Sequence, residues 1–399
     1  MKVWDNKMTN LSRGWEVKTI EEVCKNSSSN LALKDIKDKN GQYPVFGASG
    51  IVGYVDFYHK DKECLGIVKD GAGVGRVFVL PKNTSVIGTL NYLETFENTN
   101  LKYLFHFLCS VDFSKYVLGS AIPHIYFRDY KKEQIPLPPL KEQERIVGIL
   151  DESFANIDES IKNLEQDLLN LDELMQSALQ KAFNPLKDNA KENYQLPQGW
   201  EWKSLEDIAN IKGGKRLPKD EKLLDYKTPF PYIRVSDFQD DGTIDLHNVK
   251  FINEKTYNIL SNYQIDNTNL YISIAGTIGK SGIIPKSLNG AILTENAIKL
   301  EYKNYNIYNK FMYYFTTSSC FKNQAIESTR IVAQPKLAIS RLKTIQIPIP
   351  PLQEQEQIAS YLDELSLNIK DLKQNYQTQI KNLQELKKSL LDRAFKGRL

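Results

Sequence analysis

The sequence predicts an α+β protein with two domains built on small mixed sheets, separated by two long helices that pair as an antiparallel coiled coil. Three observations carry this fold class: an internal repeat, a heptad seam after each copy of a proline-rich motif, and glycine-punctuated Val/Ile/Tyr runs elsewhere. The repeat has three parts. Gly14-Trp15-Glu16-Val17-Lys18-Thr19-Ile20-Glu21 returns as Gly199-Trp200-Glu201-Trp202-Lys203-Ser204-Leu205-Glu206 at an offset of 185. Gln134-Ile135-Pro136-Leu137-Pro138-Pro139-Leu140-Lys141-Glu142-Gln143-Glu144 returns from Gln346 to Glu356, and Leu150-Asp151-Glu152 as Leu362-Asp363-Glu364, both at an offset of 212. Glu173-Leu174 to Ala182-Phe183 returns at that same offset as Glu385-Leu386 to Ala394-Phe395. The order is therefore variable, shared, variable, shared, with segments 1–135, 136–198, 199–345 and 346–399. Growth of the offset from 185 to 212 places about 27 extra residues in the second variable block.

In the first variable block, Tyr43 to Tyr54 and Leu65 to Arg76 read as short strands and turns, because β-branched and aromatic runs are bounded by Gly, Asn or Asp. A helix is expected from Leu101 to Val117. Beyond Pro138-Pro139, a helix from Leu140 to Phe183 would run about 65 Å at 1.5 Å per residue. Its apolar residues Phe154, Ile157, Ile161, Leu164, Leu168, Leu171, Met175, Ala178 and Ala182 step by threes and fours, a heptad seam too long for one small domain to bury. Pro185 marks its end. The second variable block repeats the strand pattern at Tyr232 to Asp237 and Leu270 to Lys280, with a helix expected from Ile307 to Ala325. The second shared block carries Ile358, Leu362, Leu365, Ile369, Leu372 and Tyr376, then shifts phase through Ile380 to Leu383, Leu386 and Leu390, a stutter. Such seams serve as dimerisation or spacer coils; two matched seams in one chain favour pairing within the molecule.

Composition narrows the function by exclusion. With 41% hydrophobic and 25% charged residues the chain can fill two cores of about 150 to 200 residues. A net charge of +3 names no partner, yet Lys+Arg against Asp+Glu is 18 to 15 over 1–135, 6 to 12 over 136–198, 20 to 15 over 199–345 and 8 to 7 thereafter, so the positive surplus sits mainly in the variable blocks. Cys24, Cys64, Cys109 and Cys320 form no CxxC pair, which fits a reducing cytoplasm rather than a zinc ribbon or disulfide framework. No apolar run approaches the roughly 20 residues of a membrane span, and Met1 to Leu11 lacks a signal-like stretch, so neither export nor anchoring is expected.

Catalytic signatures are missing. Gly71-Ala72-Gly73-Val74-Gly75 lacks GxGxxG spacing and Gly213-Gly214-Lys215-Arg216 is not GxxxxGK[ST], which leaves glycine turns as the better account of both. His59, His106, His124 and His247 stand alone. Glu16, Glu201 and the Glu-Gln-Glu tripeptides sit at repeat landmarks and helix starts, where capping is the default role. No asparagine is followed by two prolines and an aromatic, the loop with which an amino-methyltransferase holds a flipped adenine, and no metal-nuclease constellation stands out.

The domain-start Gly-Trp-Glu, the Ile-Pro-x-Pro-Pro-Leu-x-Glu-Gln-Glu at both block ends and the terminal Leu391-Asp392-Arg393-Ala394-Phe395-Lys396-Gly397, taken in order, resemble the specificity subunit of type I restriction-modification systems over essentially the full length. Val45 to Gly50 and Ser273 to Lys280 also look like segments of that family's target-recognition domains. The resemblance implies a non-catalytic subunit in which each variable block reads one half of a bipartite, asymmetric site on double-stranded DNA, with the helices as spacer ruler and docking platform. It implies two modification subunits that bring S-adenosylmethionine, restriction subunits that bring ATP and magnesium, and no cofactor, metal or catalytic residue in this chain. A two-domain protein-binding adaptor and a single-chain restriction enzyme are the alternatives.

Turn position and side-chain type nominate Lys69, Arg76, Arg128, Lys215, Arg216, Arg234, Lys280, Arg330 and Lys336 for DNA, some for phosphates and some for base edges. His124 and Lys336 match at the offset of 212, after Pro123 and Pro335, which suggests equivalent loops.

Overall fold

The computed structural model describes residues 13–37, 40–119, 122–183, 196–303, 306–327 and 337–399. It divides into two compact units, residues 1–165 with 376–399, and residues 166–375. The division cuts across the sequence segments because each unit takes in part of both long helices.

The first unit opens with β1 (Glu16–Thr19), α1 (Ile20–Val23) and β2 (Cys24–Ser28), followed by β3 (Tyr43–Gly47), β4 (Gly50–Val55), β5 (Cys64–Val68), β6 (Val77–Leu80), β7 (Ser85–Val86) and β8 (Leu90–Thr95). Then come α2 (Leu101–Ser110), α3 (Phe127–Tyr130), β9 (Gln134–Leu137) and the long helix α4 (Leu140–Phe183). One sheet is antiparallel in the order β2-β8-β5-β6; the other, β4-β3-β7, is mixed, with β3 parallel to β7. Every residue of β5 is buried, as a central strand that packs on both faces must be. β9 pairs antiparallel with β1 as a separate ribbon, so the strand that carries Pro136 crosses the 135/136 boundary and closes the domain.

The second unit repeats the plan with β10 (Glu201–Ser204), α5 (Leu205–Ile208), β11 (Ala209–Gly213), β12 (Pro231–Ile233), β13 (Lys250–Phe251), α6 (Glu254–Ile259), β14 (Gln264–Ile265), β15 (Leu270–Ser273), β16 (Ser281–Gly282), β17 (Ala291–Leu293) and β18 (Ala297–Tyr302). It ends with α7 (Asn309–Thr317), α8 (Ser319–Glu327), α9 (Ile339–Thr344), β19 (Gln346–Ile349) and the second long helix α10 (Leu352–Ala394). Its sheets run β11-β18-β15-β16 and β13-β12-β17-β14, with β12 parallel to β17, and β19 pairs with β10. Most of the extra length lies between β12 and β15, where β13, α6 and β14 stand in the stretch that β4 alone occupies in the first unit.

Two expected helices are shorter than the apolar pattern suggested. The first ends at Ser110 because Val111 is extended and the Asp112 carboxylate accepts from Ser114 N–H, starting a separate 3₁₀ turn. The second is broken at Ser318, also extended, into α7 and α8.

The long helices match the expected span and explain the repeated motifs. Gln143 and Gln355 are fully buried, one turn inside α4 and α10. Gln143 accepts from Asn100 N–H (2.8 Å) and donates to the carbonyls of Asn98 (3.0 Å) and Pro138 (2.8 Å). Gln355 makes the same three bonds, with Tyr308 N–H (2.9 Å), Asn306 O (3.0 Å) and Pro350 O (2.9 Å). About two turns on, Asp151 accepts from Lys102 and His106, and Asp363 from Lys310 and Tyr314, so each long helix is tied to its domain helix, α2 or α7. Each core is then closed by the end of the other long helix: Phe395 packs edge-on against Tyr103 and Phe107, while Phe183 packs against Phe311 and Phe315.

Within each unit the helices run antiparallel. Lys387 pairs with Asp158 in the first, Lys373 with Asp172 in the second. These lysines correct the expected seam: Leu372 and Leu386 are 40% and 45% exposed, and their neighbours Lys373 and Lys387 occupy the inner positions instead. A lysine stem covers apolar surface while its ammonium reaches a carboxylate, as Lys387 does over the Phe154 ring, so hydrophobicity alone mislocates the seam.

Gln143→Leu strands one buried N–H and two carbonyls, and an expected loss of roughly 2–4 kcal/mol follows, read as a lower denaturant midpoint with faster amide exchange at the start of α2. A second expectation concerns pH. Burial holds the His106 imidazole below its ordinary value, outweighing the Asp151 carboxylate at 2.8 Å. The unfolded chain then binds a proton that the folded one refuses, so stability is full above the ordinary histidine value, about 6.5, and is lost as pH falls below it. Melting temperatures of wild type and His106→Gln between pH 7.5 and 5.5 test this: the variant's curve should be flatter.

Candidate nucleic-acid interface

In the first unit, the nominated residues gather on the turn between β5 and β6. Val68 N–H donates to Arg76 O (2.9 Å) and Gly75 N–H to Val68 O (2.9 Å), with Gly75 at φ +85°, a conformation that favours glycine. A second loop is laced to it by Gly71 N–H to Pro123 O (2.8 Å) and Ile125 N–H to Lys69 O (2.9 Å). Ile125 is buried, and the exposed Tyr126 that follows it carries the His124 ring at 4.9 Å and the Arg128 guanidinium at 4.5 Å. Arg76 donates Nη1 to Ala48 O (2.8 Å) beside the β3–β4 hairpin, and the Lys69 ammonium lies 3.9 Å from Asp70. Lys69, Arg76 and Arg128 thus belong to one hydrogen-bonded pair of loops.

The second unit builds the corresponding turn between β15 and β16 with the same bonds. Ser273 N–H donates to Lys280 O (2.8 Å), Gly279 N–H to Ser273 O (2.9 Å) with φ +86°, and Leu337 N–H to Ile274 O (2.9 Å). Lys280 therefore stands where Arg76 stands, paired with Asp240 at 2.7 Å. Arg330 and Lys336 lie outside the described residues; Leu337, which follows them, repeats the bond of Ile125.

Lys215, Arg216 and Arg234 collect around the β17–β18 loop. Lys215 N–H donates to Leu293 O (2.9 Å), and Arg216 Nε to Glu295 (2.6 Å). Arg216, Arg234, Tyr232, Ser236, Thr294 and Asn296 line a cavity of about 360 Å³, and Asn296 O receives Ile274 N–H (2.8 Å), joining this loop to the Lys280 turn. Arg234 is committed to the fold: its guanidinium donates to both oxygens of the buried Asp237 (3.2 and 2.6 Å) and to Asn248 O (2.8 Å). The Arg216 bond holds the Glu295 carboxyl below its ordinary range despite partial burial.

Anion and base contacts are what this arrangement can make. Exposed cations on rigid turns suit phosphates, and guanidinium groups suit base edges. Gly214 is a packing requirement, since a Cβ there would stand 2.1 Å from Thr294 O. Among the described residues no group of three His, Cys, Asp or Glu side chains could hold a metal, and no helix is long and apolar enough to cross a membrane. A sequence search for cations alone passed over Tyr126, Asp129 and Glu295, which orient them. Their signal is proximity in sequence for Tyr126 and Asp129; Glu295 is 79 residues from Arg216 and had none.

Comparison with known proteins gives a consistent result. A family model for the type I restriction modification DNA specificity domain matches residues 12–170 and 197–382. The chain is 26% identical over 296 residues to the type I restriction enzyme EcoBI specificity subunit of Escherichia coli, covering 70% of this chain and 61% of that subunit's length. It is 28% identical over 355 residues to a putative type I specificity subunit, S.HindORF215P, of Haemophilus influenzae, covering 87% and 86%. Among solved structures, a chain from a type I restriction-modification complex shares the fold with a TM-score of 0.75 at 18% identity, over 98% of this chain and 100% of that one. The HsdS subunit of Thermoanaerobacter tengcongensis does so at 0.59 and 19%, over 98% of each.

The two cavity arginines should separate in a denaturation experiment. Arg234→Ala leaves a buried carboxylate unpaired and should cost roughly 3 kcal/mol, whereas Arg216→Ala, at an exposed pair, should stay within about 0.5 kcal/mol of wild type.

Proposed function

The chain belongs to the type I restriction-modification DNA specificity family, and from that premise we propose that it gives such a system its DNA address, each domain reading one half of a bipartite, asymmetric site. The carrying observation is that one chain holds two readers with the same turn geometry and different side chains: Arg76 and Lys280 occupy equivalent places on equivalent backbone bonds. Equal frames with unequal side chains favour two different half-sites. The helices then fix the unread spacer, and α4 and α10 offer docking places for two modification subunits, which supply S-adenosylmethionine and the methyl transfer to adenine. Restriction subunits supply ATP, magnesium and DNA cleavage. The chain itself performs no chemistry and works in the cytoplasm.

Co-expression with the cognate modification subunit, followed by long-read mapping of N6-methyladenine, tests this. A single gapped motif is expected, and exchanging residues 20–133 for those of a relative, which leaves β1, β9 and the long helix with Gln143 in place, should change one half only. A complex that forms and binds S-adenosylmethionine yet marks no gapped motif would favour the adaptor alternative.

A further inference from the structure

Four of the nominated arginines lie among the described residues, and their guanidinium groups are unequally committed. Arg234 spends both Nε and Nη2 on Asp237 and Asn248, and Arg76 spends Nη1 on Ala48. Arg128 and Arg216 differ. Each has a carboxylate at Nε, Asp129 at 3.6 Å and Glu295 at 2.6 Å, and among the described residues neither donates from its Nη nitrogens. Tyr126 also lies under the Arg128 guanidinium, at 4.5 Å. Both side chains are nonetheless open to solvent, at 73% and 79%. One lies in each unit.

A carboxylate at Nε leaves the end-on edge, Nη1 and Nη2, as the free donor pair. Two parallel donors fit O6 and N7 of guanine in the major groove. Restraining the side chain beforehand removes part of the entropy lost on binding. A phosphate contact needs no such orientation, because an ammonium serves as a point charge. Arg341, exposed on α9, has neither a ring nor a carboxylate on its guanidinium among the described residues.

We propose that Arg128 and Arg216 are the base-reading arginines, one per domain, each presenting its Nη1/Nη2 edge to a guanine in its own half-site. Asp129 with Tyr126, and Glu295, are their positioning residues. Lys69 and Lys215 then serve the phosphates. This rests on the DNA-reading function proposed above and assigns its specificity.

The test uses the full chain co-expressed with its modification subunit, with methylated motifs mapped for Arg128→Lys and Arg216→Lys. Lysine keeps the charge and loses the fork. Each variant should become degenerate at one G·C pair of one half-site, discrimination there falling about 5- to 150-fold, while the other half and the gap are unchanged. Tyr126→Ala and Glu295→Gln leave both arginines in place and should relax the same two positions more weakly. Binding of Arg128→Ala and Arg216→Ala to a cognate duplex should weaken without a shallower salt dependence. An unchanged motif in the lysine variants overturns the inference, as does a salt slope reduced by about one with both halves equally affected, which would mark phosphate contacts. A wild-type complex without any gapped motif would instead refute the DNA-reading function itself.

Discussion

A buried glutamine at the start of each long helix is the constraint on which the rest of the structure depends. Gln143 and Gln355 have no exposed surface, and each satisfies three backbone groups that the prolines and the preceding loop would otherwise leave unpaired. A buried amide bonded on both its oxygen and its nitrogen admits essentially one orientation, since any slip leaves polar groups dry and unmatched. The direction in which α4 and α10 leave their domains is thereby set. Asp151 and Asp363 fix the same direction about two turns later through α2 and α7. A helix launched this way can reach its second anchor, and the anchors exist: Phe183 among Phe311 and Phe315, Phe395 between Tyr103 and Phe107.

That frame explains why some parts of the chain repeat and others do not. Within the repeats, Gln143, Asp151 and Phe183 and their counterparts Gln355, Asp363 and Phe395 join helix to domain or close a core with a helix end, and a change in any of these six costs hydrogen bonds or aromatic packing. The β5–β6 and β15–β16 turns carry no such load. Their backbone is held by bonds between main-chain atoms, Val68 with Arg76 and Ser273 with Lys280, so side chains on the turn can change without loss of the fold. A protein that specifies a DNA address benefits from this separation of frame and turn.

The repeat, the α+β class, the span of α4 and its apolar seam were legible in the sequence, because each rests on periodicity or identity at fixed spacing. The break at Ser318 and the early end at Ser110 were not, since apolar residues continue past both and the interruption comes from local turns. Lys373 and Lys387 were invisible as seam residues because their role depends on carboxylates about 200 residues away, Asp172 and Asp158. Within the interface, cations were easy to nominate and their commitments were not: Arg234 resembles Arg216 in sequence, and only the buried Asp237 reveals it as a brace. The partition of cores was hidden too, as nothing in the sequence says that Phe395 belongs to the first domain.

The most direct measurement of the central claim is amide hydrogen exchange on the full chain bound to its modification subunit, with and without a duplex carrying the recognition site. Two readers in one chain predict added protection at residues 69–76 and 122–128 and at 214–216 and 274–280, with no change around Gln143 and Gln355. Protection confined to the long helices, or to one domain alone, would contradict it.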